Sequence, residues 1–264
     1  MPPSTVDSKY SSYTSSDKLK SSSPNTSDKE TIIVFDWDDT LLASSFLSSK
    51  GLRLDTDKSK LADVEAGLRD LEQAIIAVVT LALQYGEVHI VTNAETGWVQ
   101  LSAAKFIPAV VPLLHRVSIL SARSTYEGRY PDAPLKWKYY AFQDKLAPSF
   151  AEPKRQKNII SFGDSHVERE AVRAVTRGFP NTRCKSVKFA ERPSMEQLRR
   201  QIELVTNCFQ YIHHHDGDLD LQLTVTINNN SQQQQSVGEK VAQQQQHAYT
   251  TNSILNTSEE KPSS

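Results

Sequence analysis

Ile32-Ile33-Val34-Phe35-Asp36-Trp37-Asp38-Asp39-Thr40 runs an apolar, largely β-branched segment into a cluster of carboxylates. The apolar part is short and bounded by polar sequence, the pattern of a strand buried on both faces. Carboxylates spaced i, i+2 at the carboxyl end of such a strand are costly unless they meet a cation or do chemistry. In open α/β sheets ligands bind in the crevice beyond those strand ends. The stretch therefore predicts a parallel sheet with a metal-assisted site centred on Asp36 and Asp38.

Strand and helix patterns alternate outward from it. Strands are expected at Ile32–Phe35, Val88–Thr92, Val117–Leu120, Ile159–Phe162 and, more weakly, Val187–Phe189. Helices are expected over Leu61–Tyr85, Trp98–Phe106, Pro134–Lys145 and Val167–Val175. Another starts at Ser194, with Gln197 placed for a capping box. The alternation predicts an α/β fold, a mostly parallel sheet with helices on both faces. Leu219, Leu221, Leu223, Val225 and Ile227 alternate with polar residues, which predicts a last, half-buried strand at a sheet edge or over a helix.

Residues 1–30 hold ten serines and few large aliphatics, and the segment from Asn228 carries two four-glutamine runs. Both read as disordered tails. The expected organisation is a Ser-rich head over 1–30, a folded domain over 31–227 and a Gln-rich tail over 228–264. Lys and Arg number 30 against 31 Asp and Glu, a balance that predicts no nucleic-acid partner. No signal-peptide pattern or membrane-spanning run is visible, and Cys184 and Cys208 read as reduced thiols. The expectation is an intracellular protein, cytoplasmic or nuclear, with no membrane partner.

Four elements carry chemistry. In Asp36-x-Asp38-x-Thr40, one carboxylate can attack phosphorus while the other protonates the leaving oxygen and then deprotonates water. Thr92 ends the second strand, where a hydroxyl and free N–H groups can hold a phosphoryl oxygen; alone it reads as a helix N-cap. Lys136 and Lys138 flank Trp137 near a helix start. Either could neutralise a pentacovalent phosphorus, and alone each reads as a surface lysine. Lys138 is favoured because it lies between Trp137 and Tyr139-Tyr140. In Gly163-Asp164-Ser165-His166-Val167-Glu168, Asp164 sits at a strand end and Glu168 one helical turn on, placed to face one oxygen-ligated Mg2+.

In this order, each at a strand's end, the four elements resemble the haloacid dehalogenase-like (HAD) superfamily from about Thr31 to Phe189. The resemblance implies a Rossmann-like core and an Mg2+-dependent phosphatase acting on a phosphate monoester through an aspartyl-phosphate. It implies Asp36 as nucleophile, Asp38 as general acid/base, Thr92 as phosphate ligand and Lys138 as charge stabiliser. Asp36, the Asp38 carbonyl, Asp164 and Glu168 would place the metal; Asp is commoner than Glu at the last position. Asp at the position of Asp38 goes with phosphatases and mutases. The alternatives are a catalytically silent binding module of this fold and a phosphotransferase or mutase.

The spacing between motifs leaves room for a minimal cap or none; in the superfamily that the chain resembles, capless members often act on macromolecules, so the resemblance implies a phosphorylated small molecule or a phosphoprotein as substrate. Arg123, Tyr126 and Arg129 fall in a stretch that reads as a solvated loop and could line the mouth. His166 reads as a helix-start residue. His213-His214-His215 reads as a turn, because three adjacent side chains cannot all meet one ion.

Overall fold

A computed structural model describes residues 29–150 and 155–224. The expected Ser-rich head, the Gln-rich tail and the strand positions Val225 and Ile227 lie outside the described residues.

Among the described residues six strands form one sheet: β1 (Lys29–Phe35), β2 (Glu87–Thr92), β3 (Ser118–Ser121), β4 (Gln156–Gly163), β5 (Thr182–Lys188) and β6 (Leu219–Gln222). Their order is β3-β2-β1-β4-β5-β6, and every pairing is parallel. This is the strand order of a doubly wound, Rossmann-like sheet. Chain direction across the sheet reverses between β1 and β4, so the crevice of such a fold opens at the carboxyl ends of these two strands.

Period-two alternation fills both faces. Ile33, Phe35, Ile160 and Phe162 enter one core; Ile32, Val34 and Ile159 enter the other. The first core is covered by α2 (Glu65–Tyr85), α3 (Trp98–Phe106) and α8 (Met195–His214). The second is covered by α6 (Pro134–Phe150) and α7 (His166–Thr176). Shorter helices complete the connections: α1 (Ser44–Ser49), α4 (Val111–Leu114) and α5 (Ala122–Tyr126). No described helix is long and apolar enough to cross a membrane.

Some boundaries differ from the sequence pattern. The stretch 42–60 contains α1, and a 3₁₀ turn at Lys58–Leu61 stands where the helix expected over Leu61–Tyr85 was to begin, so that helix starts at Glu65. The stretch 121–132 opens with α5, capped by the Ser121 hydroxyl on the Ser124 N–H at 2.9 Å. β5 starts at Thr182 rather than Val187, because its lysines bury their stems and satisfy their tips: Lys185 Nζ donates to the His213 carbonyl at 2.8 Å. β6 joins the edge, and its Asp220 receives Arg169 and Arg173 from α7.

Phe162 is the centre of the first core. It stacks on Phe35 with ring centroids 4.8 Å apart and lies against Phe189 and Phe209. Phe162→Ala is expected to cost roughly 3–5 kcal/mol of unfolding free energy. Urea denaturation measures it, and a cost near zero would place the core elsewhere.

Candidate active site

The β1–β4 ladder runs one residue past β1, with the Asp36 N–H donating to the Phe162 carbonyl at 2.9 Å. This fixes Asp36 at the sheet's carboxyl edge, where it is 6% exposed. The chain then turns sharply: the N–H groups of Leu41 and Leu42 return to the Trp37 carbonyl at 2.9 and 3.0 Å. Asp39 takes a left-handed conformation with φ 55°, which Asp tolerates better than most residues. Trp37 is fully buried and donates to Ser102 Oγ at 3.0 Å, anchoring the turn to α3. Thr40 is fully buried, and its hydroxyl has no hydrogen-bond partner among the described residues.

Lys138 reaches the site from α6. Its ammonium donates to Asp36 Oδ1 at 2.5 Å and to the Val91 carbonyl at 2.5 Å, and it pairs with Glu168 Oε1 at 3.0 Å. Lys136 instead lies over the Tyr130 ring. α6 puts Lys138, Phe142 and Leu146 on its buried stripe at helical spacing, so the lysine stem passes through apolar packing.

Asp38 is held on the other side. The Thr92 hydroxyl donates to Oδ2 at 3.3 Å, and the Trp98 indole N–H donates to Oδ1 at 2.9 Å. The Thr92 oxygen also accepts the Ala94 N–H at 2.9 Å. Gly97 has φ 92° just before α3 and so needs glycine to turn Trp98 toward Asp38.

Glu168 closes the fourth side. Its Oε2 accepts from the Ser165 N–H at 3.2 Å and from the Ser165 hydroxyl, in a capping box that starts α7. Gly163 makes room for this return: a Cβ there would meet Glu168 Cγ at 2.6 Å. Asp164 is partly exposed beside them.

Six residues singled out in the sequence thus meet: Asp36, Asp38, Thr92, Lys138, Asp164 and Glu168. Both oxygens of Glu168 are engaged by Lys138 and Ser165 rather than left facing open space. His166 stands outside this set. Tyr126 bonds Asp144, and Arg123 pairs with Glu127 within its own helical segment. Arg129 lies over the Tyr130 ring. His213 meets the Thr31 hydroxyl and the Tyr85 ring at the far end of β1. Sequence reasoning missed Trp98, Asp39, Ser165 and the Val91 carbonyl. Of these only Ser165 left a signal, in the Ser-x-x-Glu spacing of a capping box.

Charge is unbalanced. Four carboxylates share one buried ammonium. Burial pushes Asp36 well above the usual carboxylate range against the pull of Lys138, and Glu168, Asp38 and Asp164 add to the rise. Burial also pushes Asp164 up to about 7, helped by Glu168 and Asp39. Burial raises Asp38, opposed by the Trp98 hydrogen bond. Burial disfavours the Glu168 anion too, but Lys138 and Ser165 outweigh it and hold that carboxyl low. Burial likewise disfavours the charged Lys138, and Asp36 and Glu168 overcome it to hold the ammonium protonated.

Hard oxygen donors in surplus suit a hard divalent cation. Among the described residues no three His, Cys, Asp or Glu side chains form a ready-made cage. Mg2+ does not need one, since it keeps several waters and takes one or two carboxylates. Asp36 Oδ2 and the Asp164 carboxylate take no hydrogen bond from another side chain among the described residues and fit that role. No protein-family model, no curated protein and no solved structure matches the chain.

The raised Asp164 carboxyl has a consequence for stability. Its contribution is full below its ordinary value of 3.8 and is lost as pH rises through about 7. In chelator, the stability of the wild type relative to Asp164→Asn is expected to fall between about pH 4 and about pH 7 and to level off above that. Urea titrations of both proteins measure it, and a pH-independent difference would rule out the raised carboxyl.

Proposed function

We propose that the chain is a phosphate-monoester hydrolase of the HAD type, working through an aspartyl-phosphate. The observation that carries this reading is the pairing of Asp36 Oδ1 with Lys138 at 2.5 Å, with Asp38 two residues on held by Thr92 and Trp98. A buried carboxylate whose second oxygen is free of side-chain donors is placed to attack. A neighbouring carboxyl of raised proton affinity is suited to give and take a proton.

In the first step Asp36 Oδ2 attacks phosphorus in line, and the bond from phosphorus to the ester oxygen breaks. Asp38 gives its proton to that oxygen, and the alcohol leaves. In the second step Asp38 takes a proton from water as the water oxygen attacks the same phosphorus. The bond to Asp36 breaks, freeing inorganic phosphate and restoring both carboxyls. Lys138 holds the nucleophile's other oxygen and offsets negative charge gathering at phosphorus. Thr92 orients Asp38 and offers its hydroxyl to a phosphoryl oxygen. Asp36, Asp164 and the Asp38 carbonyl would hold Mg2+, with Glu168, the other expected ligand, acting on the ion through water. When bound, the ion supplies the positive charge that lets a phosphate approach so many carboxylates. The α1 segment serves in this reading as a minimal cap.

Hydrolysis of a generic aryl phosphate tests the reading. Activity is expected with Mg2+ and none with chelator. Asp36→Asn is expected to lose about a thousandfold or more while remaining folded, as circular dichroism checks. A folded Asp36→Asn protein with normal turnover would overturn the assignment.

A further inference from the structure

A cleft of about 590 Å³ opens beside the site, between the α1 segment and α3. Leu42, Leu47, Leu52, Leu54, Trp98 and Phe106 form its apolar wall, and Ser44, Ser45 and Ser48 stand along the α1 side. Four of them, Leu42, Leu47, Leu52 and Phe106, are buried, so the lining is a continuation of the core exposed at its floor. Arg53 and Asp55 stand exposed at the rim, and neither has an ion-pair partner among the described residues. The volume lies within the range of about 300–1,000 Å³ common for small-molecule sites.

The cleft and the carboxylates share walls. Trp98 lines the cleft and donates its indole N–H to Asp38 Oδ1 at 2.9 Å. Leu42 lines it too, and its carbonyl receives the Asp39 N–H at 2.7 Å. Ser45, on the same wall, gives its backbone N–H to Asp39 Oδ1 at 2.9 Å. A leaving group protonated by Asp38 departs on the side of Asp38, and the indole on that side is a wall of this cleft.

The lining decides what such a group can be. A sugar or polyol brings hydroxyls that lose water over its whole surface, and outside the serines of the α1 side the leucine and phenylalanine side chains return no hydrogen bonds. An apolar body loses nothing and gains from each apolar contact. A flat aromatic body also stacks against the indole. We propose that this cleft binds the leaving group, and that the substrate is a phosphate monoester of an apolar, aryl-sized alcohol or phenol. The proposal rests on the hydrolase reading for its orientation, but the cleft can be tested apart from catalysis.

Phenyl phosphate and 2-naphthyl phosphate release phenols of similar leaving ability and differ in apolar size. With Mg2+, kcat/KM for the naphthyl ester is expected to exceed that for the phenyl ester by about tenfold (about 1.4 kcal/mol). Leu54→Asp, a change at a partly exposed position, is expected to bring the ratio near one. Equal kcat/KM for the two esters in the wild type would overturn the cleft assignment and leave the hydrolase reading standing. If neither ester is hydrolysed, calorimetric binding of both to the wild type separates the two ideas. Tighter binding of the naphthyl ester, lost in Leu54→Asp, would support the cleft and reject the hydrolase. Equal or absent binding would reject both.

Discussion

The Lys138 ammonium is the contact on which the site depends. It joins Asp36 after β1, the Val91 carbonyl in β2 and Glu168 in α7, from a position on α6. Four elements therefore meet at one buried nitrogen. Replacing such a group with apolar side chains is often neutral or stabilising, because desolvation offsets most of the Coulomb gain. Removing only one partner is different, since it leaves a buried charge uncompensated. The contribution of the pair is thus largely positional: it fixes the Asp36 carboxylate relative to three neighbouring elements.

One ammonium cannot balance the carboxylates gathered here. Glu168 keeps its charge because Ser165 and the start of α7 favour it in addition to Lys138. Asp36 and Asp164 lack that support and hold their protons more tightly. A phosphate ester arriving at such a site brings further negative charge. In the proposed hydrolysis, substrate and divalent cation each lower the cost of binding the other. The capping box then has a role beyond helix initiation. It holds Glu168 against Lys138, so that the lysine is shared and Asp36 Oδ2 stays available.

Much of the sheet was legible because its central strands are continuous β-branched runs, and their ends carry the acidic residues. Ile32–Phe35 and Ile159–Phe162 mark β1 and β4 without ambiguity of face, since both faces are buried. β5 was legible only at its end. Lys185 and Lys188 interrupt its apolar pattern, yet their stems are buried and their tips reach a carbonyl and Glu191. The choice between Lys136 and Lys138 had a physical signal in the helical period, because Lys138 shares a stripe with Phe142 and Leu146. Trp98 had none. An aromatic at the start of an amphipathic helix reads as packing, and its hydrogen bond to Asp38 depends on the turn at Gly97.

That hydrogen bond joins chemistry to recognition. Burial raises the proton affinity of Asp38, and the Trp98 indole lowers it by favouring the anion. In the proposed hydrolysis, this opposition suits a group that gives a proton in one step and accepts one in the next. The same indole forms a wall of the apolar cleft. A body filling that cleft excludes water from the Asp38 side, which strengthens the burial effect and favours the protonated acid. A small ester leaves water there, and Asp38 is then more readily ionised when a proton is needed. In the proposed hydrolysis, occupancy of the cleft and the protonation of Asp38 are thereby linked through Trp98, and apolar size in the leaving group would act on kcat as well as on KM.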